Sequence, residues 1–310
     1  MRIGIFVGAS AADLMTLDDL IGRIKQAEAD GFDSFWVPHI SARGYDALTV
    51  LALAGTQTSR IELGVGVVPT YPRHPMALAQ QALTTAAAAD SRFILGIGPS
   101  HRPGIEESFG LSYDRPALHT REYLSVLRPL IDEGRVQFSG RFYNVNAELD
   151  VLDRPTCPVV ISALAPRMLR LAGQQADGTI TWMAGPRAIR EHVRPRINAA
   201  AEAAGRPEPR ICVGLPATVC DDEAVGRRAA AESYERYGRL VNYRRILDVE
   251  DVEGPSEVAV VGNESSLSNQ LEQFAEAGAT DFIANIFEAG EGADSNARTY
   301  AALKDLVGRV

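Results

Sequence analysis

Two histidines stand directly after apolar runs, His39 in "SFWVPH" and His101 in "RFILGIGPSH". An imidazole exchanges a proton near neutral pH, so a ring at a strand end either does that chemistry or is satisfied by backbone partners. Between the two lies "ELGVGVVPTYPRHP" (62–75), which begins as a buried strand and is interrupted by Gly64 and Gly66. Paired glycines there mark a bulge, or a place where something approaches the backbone closely. Further on, "SALAPRMLRLAG" (162–173) opens a helix at Pro166. The unpaired amides of residues 164–168 and the helix dipole suit a phosphate, and Arg167 adds charge; Pro at the first helical position is equally an ordinary helix start. Trp182, closing "GTITW", is either core or the wall of a cavity. His74, beside Pro75, and His119 and His192, within helical stretches, read as structural.

The elements that must position these residues alternate. Compact apolar runs fall at 2–7, 34–38, 61–68, 92–98, 158–163, 178–183 and 210–219, with a last one in "TDFIANIF". Helical patterns separate them: a stretch capped by Thr16 and ended by Gly31, then 46–59, 75–90, about 115–133, 166–176, 186–204, and a late helix stopped by Gly278. Strands apolar on both faces and separated by amphipathic helices require a parallel sheet with helix cover. Eight such units predict an α/β fold, a closed (β/α)8 TIM barrel. A doubly wound open sheet is the alternative, but "GIFVGAS" lacks the GxGxxG of a dinucleotide-binding turn. Two segments interrupt the alternation, a small hairpin at 136–149 with Ser139 and Gly140 at its turn, and an extension at about 238–265. Residues 1–310 are expected to form one domain.

In such a barrel the active site lies where the strands end. The residues closing the runs are His39, then Gly66, Val67, Val68 and Pro69, then Pro99, Ser100 and His101, then Ala163 to Pro166, then Trp182.

A net charge of −9, from 40 acidic and 31 basic residues, offers no basic field for nucleic acid or anionic lipid. Three cysteines without a CxxC pair suit a reducing compartment. The opening "MRIGIFVGASAADLM" has an apolar run too short for a signal peptide, and no stretch approaches a membrane span. A cytoplasmic protein with a small-molecule substrate is expected, and no nucleic-acid or membrane partner.

The segments "GFDSFWVPH", "IELGVGVVPTYPRHP", "RFILGIGPSHRPG" and "ALAPRMLRLAGQQADGTITW", in this order, resemble the luciferase-like flavin and deazaflavin oxidoreductases. "NESSLSNQLEQFAEAGATDFI" is similar to that family's late helix–strand unit, and the chain is most similar to the branch that uses coenzyme F420. The resemblance implies a bacterial luciferase-like barrel, a hydride transfer between F420 and a small organic substrate, and a homodimer. It also implies a non-prolyl cis peptide and bulge at Gly66–Val67, supporting the cofactor's middle ring, with His39 near the reacting carbon. Cofactor contacts are implied for His39, Gly66, Val67, Val68, Pro99 and Ser100, and around the phosphate for Ala163, Leu164, Ala165, Pro166 and Arg167. Tyr71 and Trp182 are expected to face the substrate. Some deazaflavin enzymes carry glutamate where His101 stands, so His101 either moves the proton or contacts cofactor or substrate.

FMN on the same barrel, as in a monooxygenase or flavin reductase, is the nearest alternative. A non-catalytic flavin-binding protein is a further one. A metal-dependent hydrolase needs several converging ligands, and only His39 and His101 qualify, so no metal is expected.

Overall fold

The computed structural model describes residues 1–7, 15–40, 43–290 and 294–310. Its strands, in chain order, are β1 (Arg2–Phe6), β2 (Ser34–Val37), β3 (Glu62–Val65), β4 (Val68–Pro69), β5 (Phe93–Gly98) and the hairpin pair β6 (Arg135–Ser139) and β7 (Asn144–Glu148). Then follow β8 (Val159–Ser162), β9 (Gly178–Trp182), β10 (Arg210–Val219), β11 (Val260–Gly262) and β12 (Asp281–Ile286). The helices are α1 (Leu17–Ala29), α2 (Ala47–Gly55), α3 (Pro75–Ala88), α4 (Pro116–Asp132), α5 (Pro166–Gln175), α6 (Pro186–Ala188) and α7 (Arg194–Ala203). They continue with α8 (Glu223–Gly238), α9 (Val241–Glu250), α10 (Pro255–Val258), α11 (Glu264–Ala277) and α12 (Ser295–Leu306).

Among the described residues, eight parallel strands close on themselves in the order β1, β2, β3, β5, β8, β9, β10, β12 and back to β1. This is the (β/α)8 barrel that the alternation predicts. Alternate residues of each strand point inward. Trp36, Ile94, Val160, Ile180, Cys212 and Ile283 fill the barrel's middle, with Phe6 and Val67 packed on them. The residues between them face the helices in the larger outer core. An ionic cluster closes the floor: Arg210 pairs with Glu62 at 3.1 Å and with the buried Asp281, and Arg2 pairs with Glu62 at 2.7 Å.

The interrupted third strand is a bulge. Gly64 pairs with Ile94 and Val68 with Ile97, so four steps on one strand answer three on its neighbour. The Gly66–Val67 peptide within it is cis. The two glycines have different tasks. A Cβ on Gly64 would lie 2.3 Å from the Trp36 ring, whereas Gly66 opens upward toward the strand ends. Room for the bulge comes from the next strand, since a Cβ on Gly96 would lie 2.0 Å from the Val65 carbonyl oxygen. Overpacking of this kind costs about 1–3 kcal/mol. Gly64→Ala is therefore expected to lower the midpoint of chemical denaturation by that order of stability, and an unchanged midpoint would contradict the packing described.

One departure from the sequence pattern has a local cause, and the two segments outside the alternation take definite forms. The expected helix over 186–204 is broken into α6, a π-helical turn at Ile189–Val193, and α7. Pro195 has no amide to give the Glu191 carbonyl, and the Arg196 guanidinium takes the carbonyls of Glu191 (3.3 Å) and His192 (2.9 Å) instead. The extension at 238–265 contains α9, α10 and the short β11, which adds to the end of β10. The hairpin forms as expected, Ser139 opposite Asn144, and the buried Glu122 accepts the turn amides of Arg141 (3.1 Å) and Phe142 (2.7 Å).

Candidate active site

A cavity of about 670 Å3 sits over the C-terminal ends of the strands, within the range of small-ligand sites. His39, Gly66, Val67, Pro99, Ser100, His101, Leu164, Ala165 and Trp182 line it together. Val68 and Ala163 do not; both are packed in the core between barrel and helices. Pro166 and Arg167 lie on the exposed first turn of α5, beside the cavity and not on its wall. Tyr71 is turned away from the cavity, stacked on the buried His119 at 3.8 Å, with its hydroxyl donating to the Asp114 carbonyl at 2.7 Å. An aromatic partner and a carbonyl hold Tyr71 behind the wall it was expected to form. His119 itself is bound through Tyr143 at 2.9 Å, and burial pushes its pKa down to about 4.

His39 follows β2 and Pro38, and its ring is held from the side by the start of α2. Asp46 caps that helix, accepting the Thr49 amide at 2.9 Å. The Ala47 amide donates to His39 Nδ1 at 3.4 Å, and Asp46 Oδ2 lies 3.7 Å from the same nitrogen. Burial and then the Arg73 charge lower the proton affinity of His39 below the ordinary histidine value, with Asp46 opposing them. His101 is presented by Ser100, whose backbone is left-handed (φ 61°), and the Tyr113 hydroxyl donates to the Ser100 carbonyl at 3.0 Å. Its ring packs on Tyr243, 5.5 Å between centroids. Burial, with Arg236 adding to it, also lowers the proton affinity of His101. Both rings are thus biased toward the neutral form at pH 7.

The roof comes from the extension and α8. Tyr234, Tyr237 and Tyr243 enclose the side opposite Gly66, and Trp182 packs between Phe6 (5.8 Å) and Tyr237 (5.7 Å). The Tyr234 hydroxyl donates to Asn285 Oδ1 at 2.7 Å, and Asn285 in turn donates to the Phe6 carbonyl. Of the cavity's residues, Phe6, Tyr234, Tyr237, Tyr243 and Asn285, with Arg43, Met168, Arg236 and Gly214, were not named from the sequence. Asn285 stands near the end of β12, where the rule that found His39 and His101 applies equally, whereas Gly214 lies in the middle of β10, level with Trp182. Arg43 and the tyrosines carry no such signal.

No Asp or Glu lines this cavity among the described residues, while Arg43 and Arg236 do. In a chain with nine more acidic than basic side chains, that is a local reversal of sign. It fits a flat, anionic cofactor. The bulge offers bare backbone at Gly66, where a Cβ would already stand 3.0 Å from Ile180. Ala165 provides no side-chain cap to α5, so the first amides of this ten-residue helix are open to an anion. Trp182 keeps a buried Nε1 with no partner in the wall.

A closed parallel barrel with an arginine-bordered cavity over its strand ends defines a cofactor- or ligand-binding (β/α)8 protein. The chain belongs to the luciferase-like monooxygenase family, whose sequence profile matches residues 1–281. An F420-dependent glucose-6-phosphate dehydrogenase from Kineococcus radiotolerans is 32% identical over 200 residues, which are 60% of this chain and 59% of that protein. Two solved structures share the fold. An F420-dependent secondary alcohol dehydrogenase in complex with an F420–acetone adduct has a TM-score of 0.79 at 19% identity, covering 100% of this chain and 98% of the other. The oxygenating component of 3,6-diketocamphane monooxygenase from Pseudomonas putida, in complex with FMN, has a TM-score of 0.74 at 18% identity, covering 99% and 96%.

Proposed function

We propose that the protein is an oxidoreductase that transfers a hydride between coenzyme F420 and a small organic substrate. The observation that carries this reading is the cavity of a family member, lined by arginines and by no carboxylate among the described residues, with open helix amides at its edge. When bound, the deazaflavin supplies the hydride chemistry; the chain binds, orients and excludes water. Gly66 and Val67 form the surface against which a flat ring lies, the first turn of α5 with Arg167 holds a phosphate, and the tyrosine roof keeps water out. His39 Nε2 or the His101 ring moves the proton. FMN is the second reading, favoured by the FMN complex of the diketocamphane monooxygenase, since the same amides suit its phosphate.

Arg167 tests the phosphate assignment. It is exposed, so Arg167→Ala should leave the fold intact and weaken cofactor, with the difference from wild type shrinking as salt is raised. Equal affinities for the two proteins across a salt series would contradict the assignment.

The protein is further proposed to work as a single-domain cytoplasmic homodimer. No helix among the described residues is long and apolar enough to cross a membrane, and the three cysteines are unpaired and buried. Helices α2 and α3 contain no charged residue, although Thr49, Leu53, Met76, Gln80 and Thr84 face outward. An uncharged two-helix face in a chain with 23% charged residues is suited to meet its own copy. Mass in solution should be twice that of the chain, and should fall to one chain in Leu53→Glu combined with Met76→Glu; a monomeric wild type at micromolar concentration would refute it.

A further inference from the structure

The contacts of His39 fix more than its position. In the neutral ring one nitrogen donates and the other accepts, and the partner of one decides the state of the other. Here Nδ1 is the acceptor of the Ala47 amide, so the proton of the neutral ring sits on Nε2. Nε2 is bonded to no described residue and is the nitrogen left for the cavity that His39 lines. A neutral His39 in this state gives a hydrogen bond to whatever lies in the cavity and does not take a proton from it.

A second proton enters at Nδ1, where it displaces the Ala47 amide and meets Asp46 Oδ2, 3.7 Å away. That oxygen is shared. Arg73 Nη2 donates to it at 3.2 Å, and Gln81 ties the pair together, accepting from Arg73 at 3.0 Å and donating to Asp46 Oδ1 at 3.4 Å. Asp46 therefore faces His39 with its charge partly cancelled. Among the described residues, the ionisable groups around His39 are Asp46 from the start of α2 and Arg73 from the loop before α3, while Arg43, His101 and Arg236 border the same cavity.

We propose that Asp46 is the positioning residue of His39: as the cap of α2 it holds the Ala47 amide whose N–H keeps the neutral ring as the Nε2–H tautomer, and its carboxylate, shared with Arg73, accepts a hydrogen bond from the proton that Nδ1 gains on acidification. On the proposed function, to which only this consequence is tied, His39 then donates toward the cofactor from Nε2. Giving up the Nε2 proton leaves the ring with Nδ1–H against the Ala47 donor, and uptake of a solvent proton at Nε2 with loss of the one at Nδ1 restores the resting tautomer. Asp46→Asn removes the charge and keeps a good helix cap, so α2 is retained. Arg73→Gln leaves the carboxylate and removes its competitor.

The test is a pH titration of the cofactor-free protein with 15N-labelled histidine, followed by long-range 1H–15N NMR, with His39→Gln identifying the signal among five histidines. The wild-type ring should be Nε2–H when neutral. Asp46→Asn should lower the pKa of His39, since an attracting carboxylate is lost, and Arg73→Gln should raise it, since a repelling charge is lost. A neutral ring protonated at Nδ1, or a pKa that neither variant moves in these directions, overturns the proposal. If Asp46→Asn does not fold, the tautomer of the wild type and the shift in Arg73→Gln still decide it. None of these readings depends on which cofactor or substrate is used, so a failure here is distinct from a failure of the functional assignment.

Discussion

His39→Ala is expected to bind cofactor nearly as tightly as wild type and to lose turnover by about 10²–10⁴-fold, the contribution typical of a positioned proton-transfer group. The expectation follows from where the ring sits. It lines the cavity, is held on one edge by α2, and on the other is bonded to no described residue. Truncation removes the donor facing the cavity and leaves the barrel intact, because His39 belongs to neither hydrophobic core. Single-turnover and steady-state rates with a reduced or oxidised cofactor and a substrate found by screening would measure the loss. If His39→Ala turns over normally while His101→Ala carries the deficit, the proton moves through the second ring, which borders the same cavity past the end of β5.

Gly66→Leu is expected to lose cofactor binding outright while remaining folded. Gly66 is the point at which bare backbone forms the cavity's lower wall, and even a Cβ there stands 3.0 Å from Ile180 and 3.3 Å from Phe6. Those neighbours are the ends of side chains bordering open space, so a larger side chain has room to turn upward, into the volume that a flat ring would occupy. Gly64→Ala is the contrast, since its Cβ meets the enclosed Trp36 ring and the damage is to packing. A Gly66→Leu protein that bound both F420 and FMN at wild-type affinity would show that no ligand uses this wall.

Much of this arrangement was legible in the sequence, and for physical reasons. Strands buried on both faces must be apolar along their whole length, so runs such as "RFILGIG" and "PVVIS" announce parallel strands, and eight of them with helices between have few ways to close. Strand ends are where that pattern breaks, and so His39, Ser100, His101, Ala165 and Trp182 were found by looking just past each run. The same rule extended to "FIANIF" reaches Asn285, whereas Gly214, in the middle of β10 and level with Trp182, is not reached by it. Other features depend on contacts between segments far apart in the chain. Nothing in "PTYPRHP" tells that Tyr71 stacks on His119, 48 positions later, and is turned away from the cavity. The tyrosine roof is written in a helical stretch whose docking over the strand ends is a tertiary fact. The space for the bulge is made by Gly96 on β5, so the pair Gly64 and Gly66 read alone pointed to the right place without the reason.

The central claim is that this cavity holds a deazaflavin. Titrating F420 with the purified protein, and FMN in parallel, while following absorbance and fluorescence, tests it most directly. The account predicts saturable binding of F420 at one per chain, weakened by salt and lost in Gly66→Leu. FMN binding in place of F420 would move the protein to the flavin reading on the same site. Binding of neither would contradict the account.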